Sequence, residues 1–185
     1  MNMILRGEVE PAQLGAFLML LRVKEETADE LTGFVEAARD VIDAPREIAV
    51  DLDWSSYAGK RRQLPWFLLS ALALADQGLR VFMHGADGHT AGRLYTESAL
   101  AALGIDAAES WRDVAHQLDK SNFAFFPLRH LCPPLQYMIE LRNVLGLRSP
   151  VHTLARLLNP LAAPCSVQSI FHPPYALKHQ YAERA

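Results

Sequence analysis

Four short apolar runs, each followed by a helix-like stretch, constrain this chain more than any other feature. The runs are EIAVDL (47–52), LRVFMH (79–84), FAFFPL (123–128) and SVQSIF (166–171). Helix-like segments at 64–77, 91–103, 109–119, 134–145 and 173–183 lie between and after them. A strand that is apolar throughout must be covered on both faces, and parallel strands need long crossovers, usually helical. The pattern predicts an α/β unit: a mostly parallel sheet flanked by helices. Gly104 and Gly146 fall where helix C-caps would.

The beginning of the chain follows a different pattern. Residues 10–23 (EPAQLGAFLMLLRV) have an early proline and are then almost unbroken apolar, as a buried or interface helix would be. Thr27-Ala28-Asp29-Glu30 matches a capping box, which predicts a second helix to about Asp43. Leu31, Phe34, Val35, Ala38 and Val41 share one face of that helix, and Pro45 closes the unit. The expected division is a small helical domain, 1–44, and an α/β domain, 45–185. The abrupt start and finish suggest a partial copy of a longer architecture, truncated at both ends.

At 185 residues the chain holds one domain, or one with an appendage. No apolar run approaches the roughly 18 residues that span a bilayer, so no membrane is expected. MNMILRGEVEPAQ lacks the layout of a signal peptide. Cys132 and Cys165 have neither metal nor redox spacing, so a reducing cytoplasm is expected. The net charge of −3 hides an asymmetry. Residues 1–53 carry 12 acids and 5 bases, whereas residues 54–185 carry 9 acids and 13 bases. Such a balance marks either an anionic partner or solvated faces that simply differ.

The sign changes just before WSSYAGKRRQLPW (54–66), a loop between a strand and a helix. Ligands of α/β sheets bind at such carboxyl ends. Gly59 is followed at once by Lys60, Arg61 and Arg62. This loop reads as an anion site, and its bland alternative is a solvated basic loop. Trp54, Tyr57 and Trp66 either stack bases or pack beneath the loop. His84 and Gly85 follow the next strand, and Arg129 and His130 the one after. Arg142 and Arg148 could hold a carboxylate or phosphate, although Arg148 equally suits a helix end. Arg93 and Arg156 add cations. Cys132 has no general base nearby in sequence, so no catalytic thiol is expected. No HExxH, GxxxxGK[ST], GxSxG or GxGxxG is present, and no paired carboxylates sit in a loop at the sheet edge.

GEVEPAQLGAFLMLLRVKEET resembles the helical beginning of anthranilate phosphoribosyltransferases, in glycosyltransferase family 3. GLRVFMHG, ALAALGI and FFPLRHLCPPLQYMIELRNVLGLRSPVHTLARLLNP agree in order. The resemblance implies a helical dimerisation domain joined to an α/β domain, with phosphoribosyl pyrophosphate held between them. It places Arg142 where the family's arginine contacts anthranilate. It places His84 and Gly85 in the family's KHGNR-type segment.

The departures are as informative as the matches. The glycine-rich GTGGDG-type loop is replaced by SSYAGKRRQ. Met83 stands for a lysine, and Ala155-Arg156 for the Gly-Pro of NxLGPLxNP. The family's magnesium-binding Asp-Glu pair lies in a part that would follow residue 185. The pattern resembles a divergent bacterial branch with SYxGxRKQ-like, CPP and AHTLAKL-like segments. That branch implies nucleic-acid binding in place of transfer, with no catalytic residue, no resident metal and no cofactor. The expected DNA or RNA contacts are Ser56, Tyr57, Gly59, Lys60, Arg61, Arg62, Arg93, Arg129 and Arg156. His84, Gly85 and Arg142 are the possible small-ligand residues, and a homodimer through the N-terminal helices is expected. The alternative is an active phosphoribosyl transferase acting on an aromatic or nucleobase-like acceptor, as in tryptophan biosynthesis. It would use magnesium with phosphoribosyl pyrophosphate.

Overall fold

A computed structural model describes residues 1–57, 63–88, 92–170, 173 and 175–184. The chain opens with a short helix, α1 (Asn2–Leu5), then α2 (Pro11–Lys24) and α3 (Ala28–Ile42). Pro11 occupies the first turn of α2, where its missing N–H costs nothing. The capping box of α3 forms as the sequence predicts. Thr27 Oγ1 accepts from the Glu30 N–H, and the Glu30 carboxylate accepts from the Thr27 N–H. Asp43, at φ 45°, ends the helix in the left-handed region.

Four parallel strands follow: β1 (Leu52–Ser55), β2 (Val81–Gly85), β3 (Phe123–Pro127) and β4 (Cys165–Val167). Their order is β3-β2-β1-β4. The chain therefore builds outward from β1 and then returns to the other side of it. That reversal opens a crevice at the carboxyl ends of β1 and β4. The first strand sits later than the sequence suggests. Ile48 and Val50 are buried in the core but stand outside the ladder, which begins at Leu52 opposite Val81. The apolar pattern marks burial there, and hydrogen-bond register marks the strand.

Both faces of the sheet are covered, as expected. Alternation sends Val81, Met83, Phe123 and Phe125 to one face, against α4 (Phe67–Asp76) and α5 (Thr96–Ala102). Phe82, Ala124 and Phe126 face the other side. There they meet α6 (Trp111–Ser121), whose Trp111 ring lies 5.9 Å from Phe82 and 5.0 Å from Phe126. Leu14, Leu18, Leu31 and Val35 of the N-terminal helices belong to this same core.

The segment expected as one helix at 134–145 is divided into α8 (Pro133–Glu140) and α9 (Arg142–Leu145). Two further short helices appear that periodicity does not reveal, α7 (Leu128–Leu131) and α10 (Val151–Leu154). Gly104 and Gly146 take φ +75° and +73°, so glycine serves the helix ends as expected. Arg39 donates to the Leu157 and Leu158 carbonyls, at 3.2 and 2.6 Å, and joins α3 to the turn after α10. The chain ends in α11 (Tyr175–Arg184), which packs on α3. No helix among the described residues is long and apolar enough to cross a membrane.

Candidate functional site

The carboxyl ends of β1 and β2 carry a buried polar chain. Asp53, Ser55, Ser56, Tyr57 and His84 are all 3% exposed or less. His84 Nε2 lies 3.2 Å from Asp53 Oδ1, and His84 Nδ1 lies 2.7 Å from the Tyr57 hydroxyl oxygen. A carboxylate only accepts, so Nε2 carries the proton and Nδ1 accepts from the Tyr57 O–H. Burial, and secondarily the charge of Asp53, raise the Tyr57 hydroxyl well above its ordinary pKa, which keeps it a donor. Ser56 Oγ donates to the His84 carbonyl at 3.0 Å, and the Ser56 N–H donates to the same oxygen at 2.8 Å. Gly85 admits this close approach, because a Cβ there would collide with Ser56 Oγ.

Ser56 and Tyr57 are expected from the sequence as nucleic-acid contacts and His84 as a small-ligand residue, and the structure places all three in this buried chain. The polar atoms of Ser56 and Tyr57 are spent inside the protein, so they brace the root of the loop and do not reach a polyanion. His84 is likewise an internal strut. Its ring is enclosed by Phe82, Tyr57 and Asp53, which leaves no face for a small ligand. Of the flanking aromatics, Trp54 packs against Phe67 at 6.1 Å, whereas Trp66 is 64% exposed. Gly59 and the three cations after it, Lys60, Arg61 and Arg62, lie outside the described residues, so the braced stem is described and the cationic tip is not.

Arg129 is also reassigned. Its guanidinium makes two 2.6 Å bonds to the Glu97 carboxylate and stands 3.7 Å from Asp87. The bidentate pair holds the Glu97 carboxyl below its ordinary range. A cation so balanced has little charge left for phosphate.

A second group of cations gathers within reach of one another's charge. Arg93, Arg148 and Arg156 are each held below the ordinary arginine pKa, first by burial and then by neighbouring arginines. Arg93 rests 4.8 Å over the Tyr95 ring. Arg142, half-buried at the start of α9, adds its charge to that felt by Arg148. The sequence suggests Arg93, Arg142 and Arg156 singly. It gives no sign that they meet Arg148, because 55 residues separate Arg93 from Arg148 in the chain. Asp53 escapes sequence reading for a different reason: it sits in an apolar run, where an acid reads as a strand's solvent face. Cys132 is buried, and burial pushes its thiol pKa up. Among the described residues no three of His, Cys, Asp and Glu cluster as a metal site would.

Residues 1–41 match the family model for the glycosyl transferase family, helical bundle domain. The Escherichia coli K12 protein YbiB is 32% identical over 93% of this chain and 55% of its own length. An anthranilate phosphoribosyltransferase from Moorella thermoacetica is 34% identical over 94% of this chain and 51% of its own. The solved anthranilate phosphoribosyltransferase of Thermus thermophilus superposes with a TM-score of 0.86. That comparison covers 99% of this chain and 56% of that one, at 24% identity. The helical-bundle match and these relatives liken the chain to the family 3 glycosyltransferases, and the superposition shows the same fold. The chain is anthranilate phosphoribosyltransferase-like, and it spans about half the length of the curated relatives it matches.

Proposed function

We propose that this protein binds DNA or RNA, without strong sequence preference, through cations at the carboxyl edge of its sheet. On this reading it performs no phosphoribosyl transfer. The observation that carries the proposal is the braced stem. Asp53, His84, Tyr57 and Ser56 hold rigidly the point from which Gly59-Lys60-Arg61-Arg62 departs. A cradle for one pyrophosphate is built from backbone donors and several glycines. Side-chain cations suit a polyanion instead, whose affinity comes from released counterions. Arg93 and Arg156 extend the positive edge, and Arg129 drops out of the set. A second copy joined through the N-terminal helices would double the basic surface. Leu20 and Val23 of α2, 70% and 84% exposed, support that pairing.

A second reading, pentosyl transfer to an aromatic acceptor, is favoured by the relatives named as anthranilate phosphoribosyltransferases. A yeast enzyme of that name is solved in complex with phosphoribosyl pyrophosphate and magnesium, with a TM-score of 0.76 to this chain at 20% identity. Arg142 would then face the acceptor. One pair of assays separates the two readings. The first measures equilibrium binding of a labelled oligonucleotide at low salt. The second measures turnover of phosphoribosyl pyrophosphate with magnesium and anthranilate. Binding without turnover is expected, and turnover without binding would overturn the proposal.

A further inference from the structure

The geometry points to a compact site for a single phosphate-type dianion in the cleft where α2, α10 and α11 meet, held by Arg156, Arg148 and Ser149. The cleft is small, about 190 Å³, which suits one phosphate group rather than a drug-sized ligand. Ile170, on the segment that leaves β4, and Tyr175, the first residue of α11, complete its wall. Arg22, Arg148 and Arg156 line it against one acid, Glu26. The charge inside is therefore positive by two.

Ser149 Oγ and Arg156 Nε, both in this wall, are buried with no hydrogen-bond partner among the described residues. Ser149 is 5% exposed. A buried donor left without an acceptor costs about 1–3 kcal/mol. Arg93, outside this wall, also has a buried atom without such a partner, Nη1, and its charge is felt by Arg156. Like charges brought together under partial burial oppose folding unless an anion joins them. The same field reaches His179, whose pKa is pushed down to about 4, first by burial and then by Arg156. Its Nδ1 donates to Gln168 Oε1 at 3.0 Å, so the ring forms a neutral, fixed wall. A phosphate whose oxygens accept from Arg156, Arg148 and Ser149 would satisfy Ser149 Oγ and Arg156 Nε and offset the clustered charge without a metal.

This inference goes beyond the nucleic-acid reading, because it does not depend on the loop at 59–62. The phosphate could come from a small phosphate ester or from one phosphate of a bound strand. The test uses orthophosphate as the probe, with melting followed at constant ionic strength against chloride. The wild-type chain should melt progressively higher as phosphate rises, and calorimetry should give a saturable isotherm. Arg156→Gln should weaken phosphate binding about tenfold or more. In phosphate-free buffer the same variant should melt no lower than wild type, since it removes a crowded cation. Ser149→Ala should lose a smaller part of the affinity. A Lys60/Arg61/Arg62 triple alanine variant should bind phosphate as wild type does. Displacement of a labelled oligonucleotide by phosphate assigns the site to a strand phosphate, and simultaneous binding assigns it to a small ester. A wild-type melt that phosphate does not move, or an Arg156→Gln variant that binds phosphate equally well, overturns the site. Oligonucleotide binding that survives such a result would leave the proposed function standing.

Discussion

Replacing Gly85 with alanine should destabilise the fold by forcing Ser56 out of its place. The strand conformation at Gly85 suits alanine, so the penalty is steric rather than conformational. The new Cβ would collide with Ser56 Oγ and lie 3.3 Å from the Ser56 carbonyl oxygen and 3.5 Å from the Phe125 ring. Overpacking a buried site costs about 1–3 kcal/mol. The Ser56 hydroxyl must also swing away from the His84 carbonyl, at about 0.5–1.5 kcal/mol. Alanine's stiffer unfolded chain returns about 0.5–1 kcal/mol. The net loss is about 0.5–4 kcal/mol, and its midpoint corresponds to roughly 5–9 °C in Tm for a chain of this length. Urea and thermal melts of the single variant measure it. Ser56→Ala alone should cost less than about 1 kcal/mol, because the His84 carbonyl keeps the Ser56 N–H. The double variant should then be more stable than Gly85→Ala alone, since the obstructing hydroxyl is gone. A Gly85→Ala protein as stable as wild type, or a double variant with strictly additive losses, would refute the close-approach argument.

Three further outcomes follow from the same structure. His179 is pushed down to about 4 in the folded chain, below the roughly 6.5 of an unfolded histidine. The unfolded state therefore binds more protons between those values, and stability is full above pH 6.5 and lost as pH falls toward 4. The loss is on the order of 3 kcal/mol, and His179→Gln should flatten that part of a pH series of urea midpoints. Arg129→Ala should leave the salt slope of oligonucleotide binding unchanged, because Glu97 and Asp87 already balance its charge; a flatter slope in binding titrations would restore it to the contact set. Leu20→Lys with Val23→Lys should yield monomers by light scattering, with a melting temperature that no longer rises with protein concentration, because both side chains are exposed in the single chain.

The layered plan was legible because apolar runs and helical periodicity both survive as local signals. Thr27 and Glu30 gave one helix start outright, and Gly104 and Gly146 gave two ends. The beginning of β1 was not legible, since Ile48 and Val50 are as apolar as Leu52 and only pairing with β2 distinguishes them. Helices as short as α7 and α10 hold too few turns to show a period. At the site, Tyr57 and Trp66 both flank the basic run in sequence, yet one is buried and the other is exposed. Composition cannot separate those outcomes. The arginine cluster was hidden for a simpler reason: its members come from α2, the segment after β2, and the α9–α10 region, and only the fold brings them together.

The proposed polyanion site includes Lys60, Arg61 and Arg62. Its most direct test is the salt dependence of oligonucleotide binding, for wild type beside the Lys60/Arg61/Arg62 triple alanine variant. The account expects a linear log–log decline, flattened in the variant by up to about 3 units, near 0.9 for each lost phosphate contact. Equal slopes in the two proteins, or no binding by wild type at low salt, would contradict it.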